Sequence, residues 1–113
     1  MTYELNEYQE AWLRDLETTK AKQCESELTN GKGGYCCLGR AYVANGHRAV
    51  NGKYEGESSV LGPIMIKKLK LNNRNGNYGG HLTLVHLNDD DELSFKEIAA
   101  FIRANPEKLF TDG

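Results

Sequence analysis

The sequence predicts a single-domain α+β fold in which short β-hairpins pack with about four helices, and three observations predict it. The chain has 113 residues, enough for one hydrophobic core and too few for two. Apolar positions recur at helical spacing in four stretches, and turn-forming glycine pairs separate them from strand-like runs. Twelve glycines against two prolines indicate tight turns rather than stiff linkers, so residues 1–113 read as one domain. A hydrophobic fraction of 39% with 27% charge is too apolar for a disordered polymer and too charged for a membrane protein. No apolar run, that around Leu61 to Met65 included, approaches the ~20 residues a bilayer crossing needs.

Residues 6–18 read as the first helix: Asn6 caps it, Gln9 completes a capping box, and Leu5, Tyr8, Trp12 and Leu16 follow helical spacing. Trp12 then belongs to the core, with its indole N–H near the surface. From Lys22 to Leu28 a period of two predicts a strand, and Asn30-Gly31 with Gly33-Gly34 supplies the hairpin turn after it. A short return strand runs into a helix over about Cys36 to Val43, ended by Asn45-Gly46. Ala49 to Tyr54 carries Asn51-Gly52 between short flanks, a second hairpin signal. Pro63 opens a third helix whose Lys67, Lys68 and Lys70 suit its C-terminal dipole. Asn72 to Gly80 reads as an exposed loop, and His81 to Leu87 suits either a strand or a helical turn. Ser94 and Glu97 form a capping box before the apolar stripe Phe95, Ile98, Ala99 and Ile102. Asn105-Pro106 stops that helix, and Leu109 and Phe110 fold back onto the core.

Several chemistries fail on spacing. Cys24, Cys36 and Cys37 lack the paired spacing of zinc ligands, so reduced thiols and no metal site are expected. His47, His81 and His86 accompany no nucleophile signature, so no catalytic residues, no cofactor and no enzyme are expected. Asp89-Asp90-Asp91-Glu92 lacks the alternating register of a calcium loop and reads as a solvated acidic turn. A helix-turn-helix reading of Leu87 to Ile102 fails because no basic recognition helix follows, so no DNA partner is expected. The first ten residues carry Glu4, Glu7 and Glu10 and no basic stretch, which gives the expectation of a cytoplasmic protein without a leader or membrane partner.

Charge is segregated along the chain. Arg14 against five carboxylates leaves −4 over residues 1–19, ten cations against four glutamates leave +6 over 20–80, and residues 81–113 return to −4. A basic middle between acidic flanks favours a local anion site over long-range attraction to a polyanion, although a solvated mixed surface accounts for it equally. Middle-segment cations suit phosphates, and Tyr54 and Tyr78 suit stacking on bases. Ordinary turn chemistry explains the same asparagines and glycines without any ligand.

Trp12, Gln23, Tyr35-Cys36-Cys37-Leu38-Gly39, Leu61 to Leu71, Leu87-Asn88-Asp89 and Ser94 to Ile102 together resemble a family of small tailed-phage proteins. These carry a tryptophan helix, an aromatic-Cys-Cys-Leu-Gly motif and a closing Ser-Phe-x-Glu-Ile-Ala helix. Arg40 and Tyr42 depart from the more apolar continuation of that motif. The family resembles anti-CBASS sponge proteins, which sequester cyclic dinucleotide alarm signals without cleaving them and act as homo-oligomers. The resemblance implies a ligand of the 3′,3′-cyclic GMP–AMP class, a homo-oligomer such as a tetramer, and action in the cytoplasm of an infected bacterium. The runner-up is a phage protein that binds and inhibits a host protein directly. The motif residues read as structural, so candidate ligand contacts come from chemistry and exposure: Lys22, Arg40 and Arg74 for phosphates, Tyr54 and Tyr78 for bases, and His81 as a hydrogen-bonding neighbour.

Overall fold

Asn6 starts the fold as its chemistry requires. Its side chain accepts from the Gln9 amide at 2.7 Å while the Gln9 side chain accepts from the Asn6 amide at 2.8 Å, a complete capping box for α1 (Glu7–Thr18). The computed structural model describes residues 4–25, 27–71, 77–79, 82–89 and 92–110. One face of α1 buries Gln9, Trp12, Leu13 and Leu16. Trp12 is wholly buried and its indole N–H donates to the Cys37 carbonyl at 2.8 Å, so the expected position near the surface is corrected. An indole taken fully out of water needs an acceptor, and the first turn of the next long helix supplies one.

The expected first hairpin takes a different form. β1 (Lys22–Gln23) pairs in parallel with β2 (Gly34–Tyr35); the Cys24 amide still donates to the Tyr35 carbonyl at 2.8 Å, but among the described residues the strand does not continue to Leu28. Other partners claim that backbone: the Cys24 carbonyl accepts from Asn88, and the Leu28 amide donates to the Ser58 carbonyl at 2.7 Å. The turn itself forms as its glycines predict, closed by a Thr29–Tyr35 bridge and an Asn30 amide to Gly34 carbonyl bond of 3.0 Å. Inside it the Asn30 side chain accepts from the Lys32 and Gly34 amides.

α2 (Cys37–Ala44) packs against α1, joined to it by the Trp12 bond and by an ion pair between Arg40 and Asp15. It is followed by α3 (Pro63–Leu69), with proline in its first turn and Lys67 and Lys68 in its last. β3 (Asn77–Gly79) and β4 (Leu82–Thr83) form an antiparallel pair, so part of the expected 72–80 loop is a strand. Residues 72–76 and 80 lie outside the described residues. α4 (Leu84–Asp89) follows, then α5 (Phe95–Ala104), whose Ser94–Glu97 capping box and buried Phe95, Ile98, Ala99 and Ile102 match expectation. α6 (Pro106–Leu109) is a single turn that returns Leu109 and Phe110 to the core. Among the described residues six helices stand where about four were expected, because α4 and α6 are too short to show a period. The α+β class holds.

Two polar devices tie these elements. Asn88, 2% exposed, accepts from the Gln23 side chain at 2.8 Å and from the Cys37 amide at 3.2 Å, and donates to the Cys24 carbonyl at 2.9 Å. One side chain thus fixes the start of α2, the linker before it and the end of α4. On the outside, Arg103 of α5 bridges Glu10 and Glu17 of α1 at 2.6 Å each. No helix among the described residues is long and apolar enough to cross a membrane.

Candidate functional site: a two-tyrosine cleft

Asn45 and Gly46 end α2 with backbone bonds from the Gly46 amide to Val43 and from the His47 amide to Tyr42. That reversal sends His47, Arg48 and Ala49 back along the molecule, and the Val50–Lys53 bridge turns the chain again. Asn51 and Gly52, both at positive φ, occupy the turn as the Asn-Gly signal predicts. Between this double reversal and the 29–34 turn lies a cleft of about 390 Å³. Its walls are Thr29, Gly31 and Gly33 on one side and His47, Arg48, Ala49 and Gly52 on the other. Tyr35, Val43 and Tyr54 complete the lining.

Each ring of the cleft is held from behind. The Arg40 guanidinium lies 4.8 Å from the Tyr35 ring centroid, a cation–π contact. Tyr54 stacks on Tyr42 with centroids 4.5 Å apart and planes 6° from parallel. Tyr42 also meets His47 edge-to-face at 5.6 Å. Burial, foremost, and the neighbouring Glu55 raise the Tyr42 hydroxyl above its ordinary pKa, and burial does the same for Tyr54. Both rings are therefore neutral, and both expose or support a flat apolar surface.

The electrostatics favour an anion. No carboxylate is among the lining residues, and Arg48 is exposed with no ion pair among the described residues. His47 stands beside Lys68, whose Nζ lies 3.5 Å from Nε2. Guanidinium and imidazole groups over a glycine-lined wall match a phosphate, and tyrosine faces match a planar base.

The candidate residues of the sequence distribute unevenly over this site. Tyr54 lines the cleft but is 4% exposed, so it offers one face and not a free ring. Arg40 is corrected: 8% exposed, it donates from Nε and Nη2 to the two Asp15 carboxylate oxygens, both at 2.7 Å, and is not among the residues that line the cleft. A buried guanidinium needs a carboxylate to offset its lost hydration, and α1 supplies it. Lys22 is exposed on β1 and is not among the residues that line the cleft. The Tyr78 backbone belongs to β3. Arg74 and His81 lie outside the described residues. Tyr35, His47 and Arg48 were not singled out as ligand contacts, although Asn45-Gly46 and Asn51-Gly52 bracket residues 47–50 and mark them as a reversed connection.

Burial pushes the Cys36 thiol up to about 12 and raises Cys37 and Cys24 as well, which makes all three poor nucleophiles. Among the described residues no group of three or more His, Cys, Asp or Glu is placed to hold a metal ion. A second hollow of about 420 Å³ lies between the end of α1 and the start of α5, with Glu17 and Lys96 both in its wall. Its balanced charge selects no ligand sign. No family model, curated protein or solved structure matches the chain.

Proposed function

We propose that the protein binds and sequesters a cyclic dinucleotide of the 3′,3′-cyclic GMP–AMP class without cleaving it, and that it serves phage evasion of CBASS defence in the bacterial cytoplasm. The observation that carries the reading is the cleft itself: two tyrosine rings, one histidine and one arginine without an ion pair among the described residues converge there, with no carboxylate in the lining. That combination suits a ligand with a flat base and a phosphate. The resemblance of the Tyr-Cys-Cys-Leu-Gly chain to phage sponge proteins supplies the biological setting.

The cleft volume bears on stoichiometry. About 390 Å³ is near the small end of ligand pockets, which run to roughly 1,000 Å³. One copy then encloses one nucleotide half, and a homo-oligomer brings two clefts onto a two-fold ligand. Val50, 71% exposed between the cleft residues Ala49 and Gly52, lies at the rim that such a second copy covers.

A thermal-shift series across cyclic dinucleotides tests the reading, since selective binding to the native state raises the melting temperature. The expected result is a selective rise that Arg48→Ala abolishes, with the ligand recovered intact after heat denaturation. A linear product would make the protein a nuclease. No shift with any cyclic dinucleotide, together with one stoichiometric protein from host lysate, would replace sequestration by direct inhibition of a host protein.

A further inference from the structure

One of the four non-glycine residues at positive φ among the described residues lies just beyond the cleft. Tyr54 and Glu57 exchange both backbone hydrogen bonds, at 3.0 and 2.8 Å, and leave Glu55 and Gly56 as the two central residues of a hairpin turn. Both have positive φ, 52° and 79°. Such a turn favours asparagine or glycine at its first position, and a glutamate in the left-handed region is strained. Strain of this kind persists only where the surroundings hold it.

The Glu55 carboxylate explains why it is held. Oε1 accepts from the Ile64 amide at 2.8 Å, and Oε2 accepts from the Met65 amide at 3.1 Å and from the Tyr42 hydroxyl at 2.7 Å. The Tyr42 oxygen in turn accepts from the Gly62 amide at 2.7 Å. Gly62 is fitted to this arrangement: a Cβ there would stand 2.6 Å from Cβ and Cδ of Glu55. Beyond Tyr42 comes the parallel stack on Tyr54, and beyond Tyr54 the cleft. A continuous chain of contacts thus runs from the first turn of α3 through one carboxylate and two rings to the ligand cleft.

We propose that Glu55 is the positioning residue of the cleft, clamping the 50–57 hairpin to α3 so that Tyr42 holds the Tyr54 face and the cleft wall in their open, ligand-ready geometry. Its relevance to binding rests on the cleft being the nucleotide site, while the clamp itself is tested without ligand. Glu55 touches no ligand. It acts through Tyr42, and by linkage a nucleotide in the cleft must in return tighten the amides that Glu55 binds.

The test uses the full chain and nuclear magnetic resonance. In the free wild-type protein, ring-to-ring contacts between Tyr42 and Tyr54 are expected, with slowed exchange of the Ile64 and Met65 amides. Glu55→Ala should erase those ring contacts and speed both amides by about tenfold or more, as expected for lost bonds to an ionised acceptor. Gly62→Ala provides the second variant, since it displaces the carboxylate while leaving glutamate in place. With 3′,3′-cyclic GMP–AMP as the probe, the wild type should slow the two amides further, and Glu55→Ala should bind about tenfold more weakly. Arg48→Ala should lose binding while the free protein keeps its ring contacts and slow amides. Persistence of the Tyr42–Tyr54 contacts in both clamp variants would overturn the clamp. Failure of the wild type to bind the probe would overturn the cleft reading, with the clamp then judged on ring contacts and exchange alone.

Discussion

Replacing Gly39 by alanine puts the packing argument at greatest risk, because intrinsic propensity and tertiary fit predict opposite signs. Gly39 lies in the first half of α2, where alanine is favoured over glycine by about 1 kcal/mol. A Cβ at this position, however, would stand 1.9 Å from the Leu28 carbonyl oxygen and 2.7 Å from its carbon. These are backbone atoms and cannot swing aside. Ordinary carbon contacts are about 3.5–4.0 Å, so α2 or the Leu28 segment must retreat by about 1.5 Å. That displacement also breaks the 3.3 Å bond from the Cys36 amide to the Leu28 carbonyl, worth about 1 kcal/mol. Overpacking of this kind costs about 1–3 kcal/mol, and the net loss after the propensity gain is about 1–3 kcal/mol. For a domain of this size it corresponds to a fall in Tm of about 5–15 °C by circular dichroism. Because Leu28 leads directly into Thr29 of the cleft, nucleotide binding should weaken as well. Gly31→Ala is the control: its Cβ meets nothing within 4 Å, so only the positive-φ strain remains, about 1 kcal/mol. A Gly39→Ala protein as stable as the wild type would refute the close approach of α2 to Leu28.

Three further outcomes follow from the same contacts. Arg40→Met leaves the largely buried Asp15 carboxylate without its partner and should lower urea stability by about 3 kcal/mol, the lower end for breaking a buried pair. The double variant with Asp15→Leu should recover most of the loss. Arg48→Ala should change stability by no more than about 0.5 kcal/mol while removing nucleotide binding, because the side chain is exposed and unpaired among the described residues. Acid should weaken the fold through Glu55 and Glu17. Burial opposes ionisation of Glu55, but bonds from Tyr42, Ile64 and Met65 outweigh it and hold its pKa below 4.5; the Arg103 hydrogen bond lowers Glu17 likewise. Depressed folded values mean that this stability is present above pH 4.5 and lost as pH falls through them. Urea unfolding between pH 6 and about pH 3 should show that decline, and Glu55→Gln should flatten part of it.

The helices were legible where local chemistry alone decides them. Asn6 with Gln9 and Ser94 with Glu97 announce two capping boxes, and both form. Asn51-Gly52 announces a hairpin turn, and its two positive φ angles appear. The strand expected from Lys22 to Leu28 failed because its period of two says nothing of partners. Asn88, 64 residues later, and Ser58 take the backbone groups a neighbouring strand would need. Trp12, Gln23, Cys37, Gly39 and Asn88, five of the residues on which the resemblance rests, meet near this point. Trp12 bonds the Cys37 carbonyl, Asn88 bonds the Cys37 amide and Gln23, and Gly39 admits Leu28. Their spacing along the chain therefore reflects a knot of core contacts, with Tyr35 alone reaching the cleft.

The site was less legible because residue type does not reveal whether a cation is already paired. Arg40 and Arg48 stand eight positions apart in one basic segment and read alike. The fold separates them: Arg40 faces Asp15 of α1 and supports Tyr35 from beneath, whereas the reversal after α2 carries Arg48 to the cleft edge. The same holds for the rings. Tyr54 reads as a free stacking platform, yet Tyr42 covers one of its faces, so the choice of ligand face is made by a residue that shows in the sequence only as a departure from an apolar motif. Tyr42 also supplies the hydroxyl that the Glu55 carboxylate accepts from. The Tyr42 hydroxyl and the Ile64 and Met65 amides together thus offset the left-handed strain at Glu55 and tie the hairpin beside the cleft to α3.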